Sequence, residues 1–84
     1  MKLADETLET LRKDATAKIK LACGIAPEEK VLKCTSAKKS DKYLVLEYTR
    51  TDGKSFTKGD ASRLSISGNY ANSRNSTIEF KIKL

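Results

Sequence analysis

The sequence predicts an α+β domain: one N-terminal amphipathic helix packed on a four-stranded antiparallel β-meander. Three observations lead there. Apolar residues recur at steps of three and four over residues 4–23, which marks one face of a helix. Two later runs, 42–50 and 77–84, alternate with a period of two, as half-buried strands do. Asp, Gly and Asn separate the runs, and these residues favour turns. The 84 residues suit one domain spanning 1–84. A chain this short buries only about 60–65% of its unfolded surface, so its core is small.

The helix of residues 4–23 carries Ala4, Leu8, Leu11, Ala15, Ile19 and Ala22 on one face. Asp5, Glu6 and Glu9 sit at its N-terminal end, and Lys18 and Lys20 near its C-terminal end. Both groups complement the helix dipole. Glu9–Lys13 and Asp14–Lys18 add i,i+4 pairs in the favourable order. Gly24 can take the left-handed position that ends a helix, Ile25 can fold back on the last turn, and Pro27 prevents continuation.

Residues 30–36 read as a first strand and 37–41 as a polar turn. The second strand, 42–50, places Leu44, Leu46 and Tyr48 on one face and Tyr43, Val45 and Glu47 on the other. Apolar groups on both faces suggest a central strand. Thr51-Asp52-Gly53 is a hairpin signal. A three-residue loop pairs Arg50 with Lys54 and puts Phe56 on the side of Tyr48, where it is buried. The third strand then runs on with a bulge or bend at Gly59-Asp60, and Leu64 and Ile66 alternate with Ser65 and Ser67. Residues 68–76 read as a long polar loop. In the last strand, 77–84, Ile78, Phe80, Ile82 and Leu84 face inward and Glu79, Lys81 and Lys83 face water. One face of the sheet is expected to take the helix and the other to stay largely wet. This helix-then-meander order is similar to cystatin or monellin in shape, with no sequence motif of either family.

The chain contains no histidine, which removes the commonest general base and any Ser-His or Cys-His nucleophile pair. Gly24, Gly53, Gly59 and Gly68 are scattered singly and make no phosphate loop. Asp41, Asp52 and Asp60 fall at turns, where short acids bond locally. The expectation is therefore a protein that is not an enzyme and carries no cofactor. Cys23 and Cys34 cannot complete a zinc site without further ligands. They read as reduced thiols in or near the core, with a Cys23–Cys34 bridge as the alternative. No apolar run reaches membrane-spanning length. The sequence turns acidic at Asp5 with no secretory apolar region, so a cytoplasmic protein without membrane contact is expected.

Net charge is +6, divided as −1 over residues 1–29 and +7 over 30–84. The basic excess therefore falls on the sheet and its loops, and suggests an acidic or polyanionic partner. Lys33, Lys38, Lys39 and Lys42 are basic positions around the sheet. The candidate partner-binding residues are Lys81, Lys83, Tyr70, Arg74, Lys54, Lys58, Arg63 and Arg50. Tyr43 and Tyr70 are the tyrosines able to serve as exposed stacking platforms. Asp41, Glu47, Asp52, Asp60 and Glu79 interrupt the basic surface. The leading expectation is a small binding module or inhibitor that recognises an acidic protein through these residues. Binding of RNA or DNA is the alternative, because phosphate neutralisation by Lys and Arg dominates such affinity. An open sheet edge could also pair two copies into a homodimer. A designed domain without natural function would fit the firm helix stop and the regular last strand; two cysteines and the irregular 68–76 segment speak against it.

Overall fold

A computed structural model of the chain describes residues 5–84. Helix α1 runs over Asp5–Cys23. Ala15 and Ile19 are buried on its inner face, and Leu8, Leu11, Ala22 and Cys23 pack around them. Ala4, assigned to the same face by its spacing, lies outside the described residues. The helix ends as its sequence requires. Gly24 adopts φ 69°, the Ile25 N–H donates to the Lys20 carbonyl at 2.8 Å, and the Gly24 N–H reaches the Leu21 carbonyl at 3.4 Å. These two bonds form a Schellman motif. A side chain at Gly24 would meet nothing within 4 Å, so only the backbone conformation restricts this position. Gly24→Ala should therefore cost about 1 kcal/mol. Urea titration against the parent checks this; an unchanged midpoint would contradict the left-handed cap.

Four antiparallel strands follow: β1 (Leu32–Ser40), β2 (Tyr43–Arg50), β3 (Tyr70–Arg74) and β4 (Thr77–Lys83). A second helix, α2 (Lys58–Leu64), lies between β2 and β3. The strand order across the sheet is β1-β2-β4-β3, which corrects the expected meander and the cystatin- or monellin-like order. β2 and β3 both run antiparallel to β4, so they are parallel to each other and α2 is the crossover between them. β2 and β4 are central, and β1 and β3 form the edges.

Two segments account for the difference. The stretch expected to be a third strand contains α2. Thr57 is its N-cap: the Asp60 N–H donates to Thr57 Oγ1 at 3.1 Å, and the Thr57 N–H donates to Asp60 Oδ2 at 3.0 Å. This reciprocal capping box starts a helix where a strand bulge was expected. Arg50 and Lys54 consequently form no hairpin pair. Phe56 is nonetheless buried, held by its N–H bond to the Asn75 carbonyl at 2.7 Å. The stretch expected to be a loop contains β3, joined to β4 through Asn75 and Ser76. Asn75 sits at φ 53°, a conformation Asn tolerates. Asp41, at φ 51°, does the same between β1 and β2.

The core lies between the two helices and one face of the sheet. Leu44, Leu46, Tyr48, Ile78, Phe80 and Ile82 supply the sheet side; Ala15, Ile19, Ala61 and Leu64 supply the helices. Leu84, expected to face inward, is exposed past the end of β4, and so is Ile66 beyond α2. Burying each larger side chain contributes about 1.5–3 kcal/mol. Tyr48 also ties β2 to α1. Its hydroxyl donates to the Arg12 carbonyl at 3.0 Å and lies 3.0 Å from Thr16 Oγ1. Burial pushes the Tyr48 phenol above its usual range. Ser65 ties α2 to β3 by accepting the Ala71 N–H at 3.0 Å. Both cysteines are free thiols. Burial, reinforced by the neighbouring Asp60 carboxylate, raises the Cys23 thiol to about 11, which keeps it protonated at neutral pH. Among the described residues, no helix is long and apolar enough to cross a membrane.

Candidate functional site

Both helices cover one face of the sheet and leave the opposite face uncovered. Strand register fixes what that open face displays. Tyr43 on β2 lies beside Ser40 and Lys83. In the next row Val45 lies between Lys38 and Lys81, and Lys81 pairs with Tyr70. The third row places Ser36, Glu47, Glu79 and Asn72 side by side. The fourth places Lys33, Thr49, Thr77 and Arg74. Basic groups therefore occupy both ends of the face, and two acids cross its middle.

The tyrosines meet across β4. The rings of Tyr43 and Tyr70 lie 5.9 Å apart, centroid to centroid, with planes inclined at 61°. This is an edge-to-face contact, favoured by the ring quadrupoles. It steadies Tyr70 although that side chain is 59% exposed. Together with Ala71, Asn72, Glu79 and Lys81, the two rings line a depression of about 440 Å³. Lys81 Nζ lies 3.8 Å from Glu79 Oε1. That is longer than the roughly 2.7–2.9 Å of a charge-assisted hydrogen bond, so the two groups stay available to a ligand.

Glu47 and Glu79 are direct neighbours on β2 and β4. Like charges directly opposite each other are destabilising. Glu47 is partly compensated by Thr35, whose hydroxyl donates to Glu47 Oε1 at 2.9 Å. Thr35 can reach it because the register of β1 shifts between Cys34 and Ser36. That bulge re-aims the side chain. No group of three potential metal ligands occurs among the described residues.

The eight candidate residues divide by location. Tyr70, Arg74, Lys81 and Lys83 share the open face. Lys54 and Lys58 are exposed on the connection into α2 and at its first turn, outside the strands of the open face. Arg63 lies on the helix side. Its Nε donates to the Ala22 carbonyl at 2.9 Å and its Nη2 to Asp60 Oδ1 at 2.7 Å, so it fastens α2 to the end of α1. Arg50 is a structural clamp. Its side chain is only 7% exposed, its Nε and Nη2 contact both oxygens of Asp52 at 3.0 and 2.7 Å, and its guanidinium lies 5.6 Å from the Phe56 ring centre. The hydrogen bonds from Arg50 hold the Asp52 carboxyl down at about 2. Asn72 and Glu79 join the site through strand register, which also brings Tyr43, a stacking platform expected from the sequence, against Tyr70. Asn72 stood in the polar 68–76 segment expected to be a loop, and lies instead on strand β3 beside Glu79.

A second depression, about 500 Å³, lies on the helix side and is lined by Lys18, Leu21, Ala22, Arg63, Leu64, Ile66, Ser67, Asn69 and Phe80. It is mostly apolar, and Arg63 on its rim is already engaged with Asp60. The open face is the better candidate because it combines aromatic rings, cations and polar acceptors. Comparison with family models, curated proteins and solved structures finds no match to this chain.

Proposed function

We propose that this protein is a non-catalytic, cytoplasmic binding module that holds single-stranded nucleic acid on the open face of its sheet. The observation that carries the reading is the Tyr43–Tyr70 pair beside Lys81 on an uncovered face. Aromatic rings stack on bases whatever their identity, and each stacked base contributes about 1–3 kcal/mol. Lys38 and Lys83 flank the rings, and Lys33 and Arg74 lie at the far end of the face beyond Glu47 and Glu79, where they can meet phosphates farther along a strand. Unpaired bases are needed, because a base within a duplex cannot lay its face on a tyrosine.

The test is fluorescence polarisation with labelled single-stranded and duplex RNA and DNA, at low and physiological salt. Single strands should bind more tightly than duplexes. The logarithm of affinity should fall linearly with the logarithm of salt, with a slope of about 0.7 per phosphate neutralised. Replacing both Tyr43 and Tyr70 with alanine should weaken binding by at least about 10-fold. Arg74→Ala should reduce the salt slope by about one contact. Binding indifferent to loss of both tyrosines would overturn the reading.

One observation favours an acidic protein as the partner instead. Glu47 and Glu79 divide the cations into two groups, which suits discrete side-chain contacts better than a continuous phosphate track. Tyr and Arg are also common anchors of protein interfaces. Absence of oligonucleotide binding would move the proposal to that partner on the same face. The edge strand β3 would then be the place for a partner strand or a second copy to pair.

A further inference from the structure

The acids on the open face are the least expected part of a surface for nucleic acid. Glu79 sits against Glu47 at a folding cost, and its charge repels phosphate. It also lies in the wall of the depression that holds the two tyrosine rings, next to Lys81 and Asn72. Glu79 and Lys81 are two residues apart on β4, so both project from the same face. Their charged ends lie side by side, 3.8 Å apart. The depression therefore offers a stacking wall and, beside it, an acceptor pair adjacent to a donor.

Base chemistry limits what fits. The Watson–Crick edge of guanine presents an acceptor, O6, followed by two donors, N1–H and the 2-amino group. A carboxylate can accept both donors at once while an ammonium beside it donates to O6. Uracil offers a single donor between two acceptors. Adenine and cytosine each offer only the exocyclic amino group as a donor on that edge. We propose that the depression is a guanine-selective base site, in which Tyr70 stacks on the base, Glu79 accepts from N1–H and the 2-amino group, and Lys81 donates to O6. This inference rests on the nucleic-acid reading above and adds base selectivity to it. It also gives Glu79 a role in recognition that neither phosphate binding nor folding supplies.

The experiment compares labelled single-stranded heptanucleotides of uridine whose central position is guanosine, inosine, adenosine or uridine, using the parent protein and Glu79→Gln. The parent should favour central guanosine over uridine by about 10-fold, within the range of a good bidentate base contact. Inosine, which lacks the 2-amino group, should fall between them. Glu79→Gln should reduce the guanosine preference below about 3-fold while the all-uridine strand binds more tightly, because a negative charge that repels phosphate is removed. A merely structural role for Glu79 would weaken every strand equally. Equal binding of all four strands, preference for another base, or full selectivity in Glu79→Gln would overturn the guanine assignment and leave the nucleic-acid reading standing. Failure of all four strands to bind at low salt would overturn both.

Discussion

Phe80→Ala is expected to lower stability by about 3–5 kcal/mol, the usual cost of truncating a buried phenylalanine. Phe80 is 1% exposed and stands at the centre of the covered face, between Leu46 on β2 and Ala71 on β3. It also forms part of the wall of the apolar depression between the helices. Removing the ring strips contacts from both helices and both neighbouring strands. At about 0.05–0.15 kcal/mol per residue, the loss is a large share of the stability of an 84-residue chain. The melting temperature should fall by at least about 12 °C. Ile66→Ala is the matched control. Ile66 is 62% exposed, so its truncation should stay within about 0.5 kcal/mol. Similar losses for the two variants, by urea unfolding, would mean that Phe80 does not anchor the core.

Phe80 also shows which parts of the fold were legible in the sequence. α1, β2 and β4 each carry a periodic apolar pattern, and their inner faces are those their spacing indicates. The Gly24 stop was equally readable, because a left-handed position selects residue type directly. β3 left no such signal. Tyr-Ala-Asn-Ser-Arg contains no apolar alternation; the strand is held by backbone pairing to β4 and by the Ser65 hydroxyl on Ala71. An edge strand lying over the thin margin of a core needs little apolar content. α2 did leave a signal, Thr57 three residues before Asp60, but the alternation of Leu64 and Ile66 with serines competed with it. Only Leu64 of that pair is buried, facing inward with Ala61 one helical turn before it. The candidate site was legible as a collection of charges and tyrosines. Its arrangement was not, because it depends on β4 lying between β2 and β3. Arg50 was misleading for a related reason: its charge counted toward the basic excess, while its side chain is spent on Asp52 and Phe56.

Asp60→Ala should cost about 2–4 kcal/mol, more than its position on a seven-residue helix suggests. Asp60 is the buried polar residue of the described core, at 6% exposure. Its carboxylate accepts from the Thr57 N–H and from Arg63, and its own N–H donates to Thr57 Oγ1. Alanine keeps the N–H that donates to Thr57 Oγ1, so that half of the capping box survives; the main loss is the charged acceptor of the Thr57 N–H, and a hydrogen bond to a charged group contributes about 1.5–3 kcal/mol. The contact with Arg63 adds less, because that side chain is 59% exposed and its charge is screened. Burial alone would raise the Asp60 carboxyl, but the bonds from Thr57 and Arg63 outweigh it and hold the group below its usual value. The sign of the pH effect follows. Because the folded value lies below the unfolded value of about 3.9, the carboxylate stabilises the fold above that pH, and this contribution fades as pH falls through the folded value. Asp60→Asn keeps an acceptor for Thr57 and removes the charge. Its deficit against the parent should be full at pH 7 and should shrink as pH falls below about 4. Asp52, held down at about 2 by Arg50, titrates in the same direction in both proteins and so cancels in the comparison. Urea unfolding of the pair at pH 7, 4 and 2.5 measures the gap. A gap that stays constant with pH would show that the shape of the Asp60 side chain, rather than its charge, joins α2 to α1.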